Sequence, residues 1–320
     1  MASPTVTLPH LAARANDLPG LGWRGRDAEW IALVCLHSGV FVRSQFCHHY
    51  QCDRATALRF VRRLTDARTA KQHPLPDTRT NQQFCHIHGK SFYRTLGIPD
   101  VRHRRRVGDG VLWRRLLSLD AVLEHPALPW LPTEPDKVHY FTGLGIDPEL
   151  LPRRVYAGRN GTTTRAFAWK LPIAGDAGRA VFVYVDAGLA TTRQLRRWCA
   201  EHAPLWAALR ASAIEVHVHA VARTVEADAR NAAFLQAHQA TPSAAQPLSA
   251  DEANTLAQLD AALEARDHAA LRRWGGFIDA GIRAASLRAR AAPPDLTLAG
   301  HIDQLHTHVA SRVADDVYAA

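Results

Sequence analysis

No apolar stretch in this chain approaches the roughly 18 uninterrupted residues that a membrane-spanning helix needs. The opening MASPTVTLPHLAARANDLPGLGWRGRD has no charged segment followed by an apolar block, so no secretory signal is expected. Cysteine is sparse, with five in 320 residues. An odd number without a secretory signal points to reduced thiols in a cytoplasmic setting, not to a disulfide framework. Several catalytic signatures are also missing. There is no G-x4-G-K-S/T loop for phosphates, no G-x-S-x-G elbow and no H-E-x-x-H pair. The glycine-bearing turns GLGIDPELLP and GRNGTTTR are too short and wrongly composed for dinucleotide binding. No internal repeat is evident.

What remains is an ordinary globular composition, 47% apolar and 22% charged, long enough for two domains. The net charge of +9 is unevenly placed. Residues 1–115 carry 19 Lys/Arg against 8 Asp/Glu, whereas residues 116–320 carry 20 against 22. A basic module joined to a near-neutral one is the pattern of a nucleic-acid-binding protein, because neutralising phosphates supplies most non-specific affinity.

The basic third has a recognisable order of elements. Residues 1–23 read as a flexible lead-in. A helix from Arg26 places Trp30, Leu33, Val34 and His37 on one face, and Gly39 ends it. VRSQFCHHYQC reads as a short second helix with Ser44 as its cap. Asp53 caps a third, whose apolar stripe is Ala57, Leu58, Val61 and Leu64. QQFCHIH alternates as a strand does, after a turn over Pro74–Thr80, and GKSFYRTLG closes as a helix. This order predicts a winged helix-turn-helix over residues 24–100. The helix after Asp53 would read DNA, with Arg54, Thr56 and Arg59 on base edges. Arg43 and Ser44 would meet the backbone, and Arg62, Arg63, Arg79 and Lys90 the phosphates. Arg102, Arg104, Arg105 and Arg106, in a basic linker over 101–111, would extend that phosphate track.

Residues 112–238 change texture. A helix ending before Pro126 is followed by DKVHYFTGLGI, RRVYAGRNGTTTRAFAWKLPI and RAVFVYVDAG, all read as strands. ATTRQLRRWCAEHAPLWAALRAS is a long helix with Leu195, Trp198, Cys199 and His202 inward, and AIEVHVHAVAR a further strand. The plan is a mixed-sheet α/β domain, giving a chain of mixed α+β and α/β class. After a loop over 239–252, residues 253–320 read as helical, including a last helix in LAGHIDQLHTHVASRVADDVYAA.

Two metal readings arise. Cys47, Cys52, Cys85 and His88 could make a zinc site, but an odd offset along a strand puts Cys85 and His88 on opposite faces. Packing is the preferred role for these cysteines, with Cys85 and Ile87 inward and His86 and His88 outward. His217 and His219 share a strand face, where hydrogen bonding competes with metal binding. The helix–strand–strand–strand–helix–strand order resembles the core of the PD-(D/E)xK nucleases, which implies a magnesium site. Asp136 of Pro135–Asp136 and Asp186 of VYVDAG would be its acids. Gly188 stands where the lysine belongs, and Lys170 is the only nearby substitute on a neighbouring strand.

The phrases FCHIHGKSFYRTLG, VFVYVDAG and TTRQL, with this element order, resemble the replication-relaxation group of winged-helix proteins from bacterial mobile elements. The resemblance covers about residues 24–240. It implies double-stranded DNA binding, either regulating transcription or assisting replication and transfer. The expected protein is a transcriptional regulator, not an enzyme, with no cofactor and a catalytically dead α/β domain. A homodimer is expected because two half-sites extend a short recognition sequence. The alternatives are a magnesium-dependent nuclease or nicking accessory, and a protein-interaction module acting through the α/β domain.

Overall fold

The computed structural model describes residues 11, 14–78, 82–158, 161–188, 191–239, 248–265, 267–291 and 298–313. Helices and sheets alternate along the chain, which is of mixed α/β class. It divides into two compact units, Met1–Phe234 with His301–Ala320, and Leu235–Gly300.

The first unit is built around α1 (Gly25–His37), which is buried on every side from Trp30 to His37. A helix apolar all round belongs in the middle of a core. It stops at Gly39, whose φ of +75° suits glycine, and where a Cβ would stand 2.6 Å from the carbonyl oxygen of His103. β1 (Val40–Val42), α2 (Arg43–Tyr50) and α3 (Arg54–Asp66) follow. Ser44 is buried inside the first turn of α2 and does not cap it; Gln45 Oε1 instead accepts the Val42 N–H at 3.1 Å. The buried stripe of α3 is Ala57, Phe60, Val61 and Leu64, an i, i+3, i+4, i+7 set. Phe60 takes the place expected for Leu58 because its ring stacks on Phe46 at 4.8 Å.

β2 (Ala70–Pro74) and β3 (Gln83–Ile87) complete an antiparallel sheet of order β1-β3-β2, with Cys85 between Phe41 and Gln72. α4 (Lys90–Thr95) closes the layer, and the Tyr93 hydroxyl donates to the Ile87 carbonyl at 2.8 Å. Leu11, Ala15, Leu18 and Trp23 are buried, so the described part of the expected flexible lead-in packs into this core. Residues 101–111 are equally anchored. His103 is buried, and Arg115 donates to the carbonyls of Arg102, His103 and Arg105 at 3.1, 3.0 and 3.3 Å.

Arg115 belongs to α5 (Asp109–Glu124), whose residues Leu112 to Leu123 are buried apart from half-buried Arg114 and Arg115. Leu112, Trp113 and Leu116 pack with Val40, Val42 and Leu75 in a cluster that Ala187 and Val313 also enter. Gln45 Nε2 donates to the Leu116 carbonyl at 2.9 Å and to Asp120 Oδ1 at 3.2 Å. Asp120 Oδ2 accepts the N–H groups of Arg312 and Val313 at 3.1 and 3.3 Å. α5 covers the second face of the three-stranded sheet, so His86, expected outside, is buried with Nε2 3.1 Å from the His103 carbonyl oxygen.

Three sequence expectations fail beyond this point. Residues 134–143 form α6 (Glu134–Gly143), not a strand. Thr133 and Asp136 make a reciprocal capping box, with Thr133 Oγ1 donating to Asp136 Oδ2 at 2.6 Å, and this starts a helix. RRVYAGRNGTTTRA is a hairpin of β4 (Arg153–Gly158) and β5 (Gly161–Ala166), separate from the main sheet.

That main sheet has the order β6-β7-β8-β9. Its strands are β6 (Ile173–Gly175), β7 (Arg179–Asp186), β8 (Glu215–Ala222) and β9 (Gln304–Val309). β6 is antiparallel to β7, and the other pairs are parallel. β9 is the third failure, since a helix was expected there; Leu305, Thr307 and Val309 instead fall opposite Val218, Ala220 and Ala222. Parallel neighbours need a crossover. α7 (Thr192–Ala211) links β7 to β8, with Leu195, Trp198, Cys199 and His202 buried as expected. Between β8 and β9 run α8 (Val225–Gln239) and the whole second unit. That unit is helical, with α9 (Ala250–Glu264), α10 (His268–Leu271) and α11 (Phe277–Ala291) around Leu259, Leu271, Ala280 and Ala284.

His202 lies among the rings of Phe182, Trp198 and Trp206, and burial pushes its pKa down to about 4. A depressed folded value means the stabilisation is full above pH 6.5 and is lost as pH falls toward 4. Lowering the pH from 7 to 5 should therefore cost about 2 kcal/mol from this ring. His202→Phe is expected to flatten that part of the pH dependence of the urea midpoint. Parallel loss in variant and parent would remove His202 as its source.

Candidate nucleic-acid interface

α2 and α3 are joined by a tight turn through Gln51, at φ +48°, and Cys52. The Cys47 thiol donates to the Asp53 carbonyl at 3.6 Å, and Asp53 Oδ1 accepts the Thr56 N–H at 2.6 Å. Hydrogen bonds from Thr56 hold the Asp53 carboxyl below its usual range. The turn thus fixes where α3 starts, and the buried stripe fixes its rotation.

The opposite face of α3 is exposed. It carries Arg54, Ala55, Arg59 and Arg62, none of which forms an ion pair with a described residue. Arg59 Nη2 donates to Thr56 Oγ1 at 2.7 Å, which holds the guanidinium against the first turn. Arg63 is differently placed. It pairs with Asp27 of α1, and its guanidinium lies 4.7 Å from the Trp23 ring centre, so it is tied to the protein.

The other sequence-predicted contacts divide in the same way. Lys90 is exposed, Arg43 half-buried and Ser44 buried. Arg79 lies outside the described residues. Exposed Lys71 on β2 and Arg68, at φ +54°, add cations that sequence reading passed over. Asp77, shortly after β2, is tied down, because Arg223 Nη2 donates to its carbonyl at 3.1 Å. Arg102, Arg105 and Arg106 are exposed and line a cavity with Arg114 and Arg115 of α5.

The candidate metal ligands are not gathered. Cys47 and Cys52 sit together at the α2–α3 turn, whereas Cys85 is buried on β3, where burial pushes its thiol up to about 12. Metal-binding cysteine must be a thiolate, which such a site opposes. His88 is half-buried beside His86. His217 Nε2 meets Glu215 at 3.1 Å, whereas the His219 ring lies 4.9 Å from that of His125 and 5.5 Å from that of His306. Among the described residues no group of three His, Cys, Asp or Glu is arranged to hold a metal.

The nuclease candidates are also parted. Asp136 pairs with Arg14 at 2.8 Å and lines a cavity of about 430 Å3 that Lys170 also lines. Asp186, almost fully buried at the end of β7, is not in that lining. Its Oδ1 accepts the Gly188 N–H at 2.9 Å and its Oδ2 an N–H of Arg230 at 3.1 Å, a turn-capping arrangement. No helix among the described residues is long and apolar enough to cross a membrane.

Set against family models, curated proteins and solved structures, the chain finds no match.

The two kinds of arginine on α3 should separate in stability measurements. Arg63→Ala is expected to lower the free energy of unfolding by about 0.5–1 kcal/mol through loss of the Trp23 and Asp27 contacts. Arg62→Ala should stay within about 0.5 kcal/mol of the parent. Equal effects in urea titrations would contradict this division.

Proposed function

We propose that the chain binds double-stranded DNA in a sequence-specific way, with α3 as the recognition helix of a winged helix-turn-helix. One observation carries the reading: α3 turns Arg54, Arg59 and Arg62 outward while its other face is locked into an aromatic core. The helix–strand–helix–helix–strand–strand order and the β1-β3-β2 sheet fit that class of domain. A helix admitted to the major groove reads guanine by bidentate arginine contacts, the role assigned to Arg54 and Arg59 with Thr56. Arg62, Lys71 and Lys90 then serve the phosphates, and the basic balance of the first 115 residues supplies non-specific attraction.

The α/β part is proposed as a non-catalytic, nuclease-like scaffold for dimerisation or partner binding. This is in keeping with Asp186 being consumed by Gly188 and Arg230. Transcriptional regulation on a bacterial mobile element is the role the family resemblance implies. A dimer would double the contacted sequence.

Fluorescence anisotropy with fragments from upstream of the chain's own gene tests the reading across salt concentrations. Arg59→Ala is expected to weaken a specific site by about 1–3 kcal/mol and relax its sequence preference. An unchanged affinity, specificity and salt slope would remove α3 as the reading helix. Supercoiled plasmid incubated with magnesium should stay intact; cleavage abolished by Asp186→Ala would replace the regulator reading with a nuclease.

A further inference from the structure

The 430 Å3 cavity adjoins a second one of about 330 Å3. They share His37, Arg102, His103, Ala168, Lys170 and Leu171 as a waist. The smaller chamber is lined by Arg102, Arg105, Arg106, Arg114, Arg115 and Lys170, with no carboxylate in its lining. The larger chamber offers a mixed wall that includes Ile98, Tyr156, Phe167 and Leu171. Its two acids on α6 already face cations, Asp136 with Arg14 at 2.8 Å and Glu134 with Arg165 at 3.6 Å.

Charge in the small chamber is concentrated, and four of its six cations, Arg102, Arg105, Arg106 and Lys170, are exposed. Arg114 and Arg115 are half-buried, and Arg115 is satisfied by carbonyl oxygens alone among the described residues. Burial pushes Arg115 down to about 10, and it lowers Lys170 as well, helped by Arg102, Arg115 and Arg165. Behind the waist, Lys137 is buried, donates to the Leu171 carbonyl at 2.6 Å, and is pushed by burial to about 7. A multivalent anion such as a polyphosphate, two of whose oxygens can accept paired N–H groups from one guanidinium, matches this lining.

We infer that these chambers form a nucleotide-binding site, with phosphates in the small basic chamber and the base and sugar in the larger one. The dimensions agree, since each chamber falls within the volume range of small-molecule sites. The site is independent of the DNA-reading proposal: no residue of α3 lines either chamber. It borders α5, the helix that supports the three-stranded sheet, so occupancy has a route to the first module.

Isothermal titration calorimetry of the full chain with ATP, GTP and inorganic tripolyphosphate tests the assignment at moderate salt. At least one nucleotide should bind with a Kd below about 100 μM, a value typical of small effector sites. Lys170→Gln and Arg114→Gln should each weaken it tenfold or more, and Arg59→Ala should leave it unchanged. Retention of the circular dichroism spectrum and melting temperature checks that both variants fold. The inference fails if neither nucleotide binds at millimolar concentration. It also fails if tripolyphosphate binds as tightly as the nucleotides, or if Arg59→Ala abolishes binding while Lys170→Gln does not. DNA anisotropy on the same proteins separates failure here from failure of the α3 reading.

Discussion

The fully buried amide of Gln45 holds the first unit together. Its oxygen takes the N–H of Val42, and its nitrogen reaches the Leu116 carbonyl and the Asp120 carboxylate, so β1, α2 and α5 meet at one side chain. Asp120 passes the connection on to the backbone of Arg312 and Val313. Burial, reinforced by neighbouring Glu124, raises the Asp120 carboxyl to about 7. Glu124 is in turn 2.6 Å from His308 Nε2. Each link lies where water is scarce, so a missing partner would leave a polar group without compensation. The apolar packing around α5 shares this register, because Leu116, whose carbonyl accepts from Gln45, packs with Leu112 against Val40 and Val42 of the three-stranded sheet.

Strong local patterns were legible before the structure. The apolar run of β7, the alternation in β8 and the inward set of α7 need no tertiary knowledge, because each repeats at its own period. The stripe on α3 was off by one member, since Leu58 and Phe60 flank the same face and only the Phe46 ring decides between them. Thr133–Asp136 carried its own signal, a capping box, which the adjacent Pro-Asp motif obscured. β9 is short and lies beside Ala-rich helices, and its partner is about 85 residues away, so local reading had little to hold.

Charge was legible as a total but not as an arrangement. The alternation rule puts His86 on the face opposite Cys85, and it does lie there, yet α5 covers that face. Arg102, Arg105 and Arg106, close together in a basic phrase, line a cavity with Arg114 and Arg115 of α5. The adjacent Arg114–Arg115 pair, set between Trp113 and Leu116 in α5, was the sequence clue to a charged cleft. Arg63, by contrast, looks like its neighbour Arg62 in any helical projection and differs only through Trp23 and Asp27, both far away in sequence.

The second unit is inserted between two adjacent parallel strands, and this imposes an order on biosynthesis. When β8 leaves the ribosome, its outer edge has no neighbour until residues 235–300 have been made and β9 follows. Val313, which enters the cluster around α5, and the backbone donors to Asp120 emerge later still. The nascent chain therefore carries an open strand edge from the end of β8 until β9 is made, and an unfinished polar joint from Asp120 until Val313. Early folding of the inserted helices would shorten the effective loop between β8 and β9 and ease that late closure.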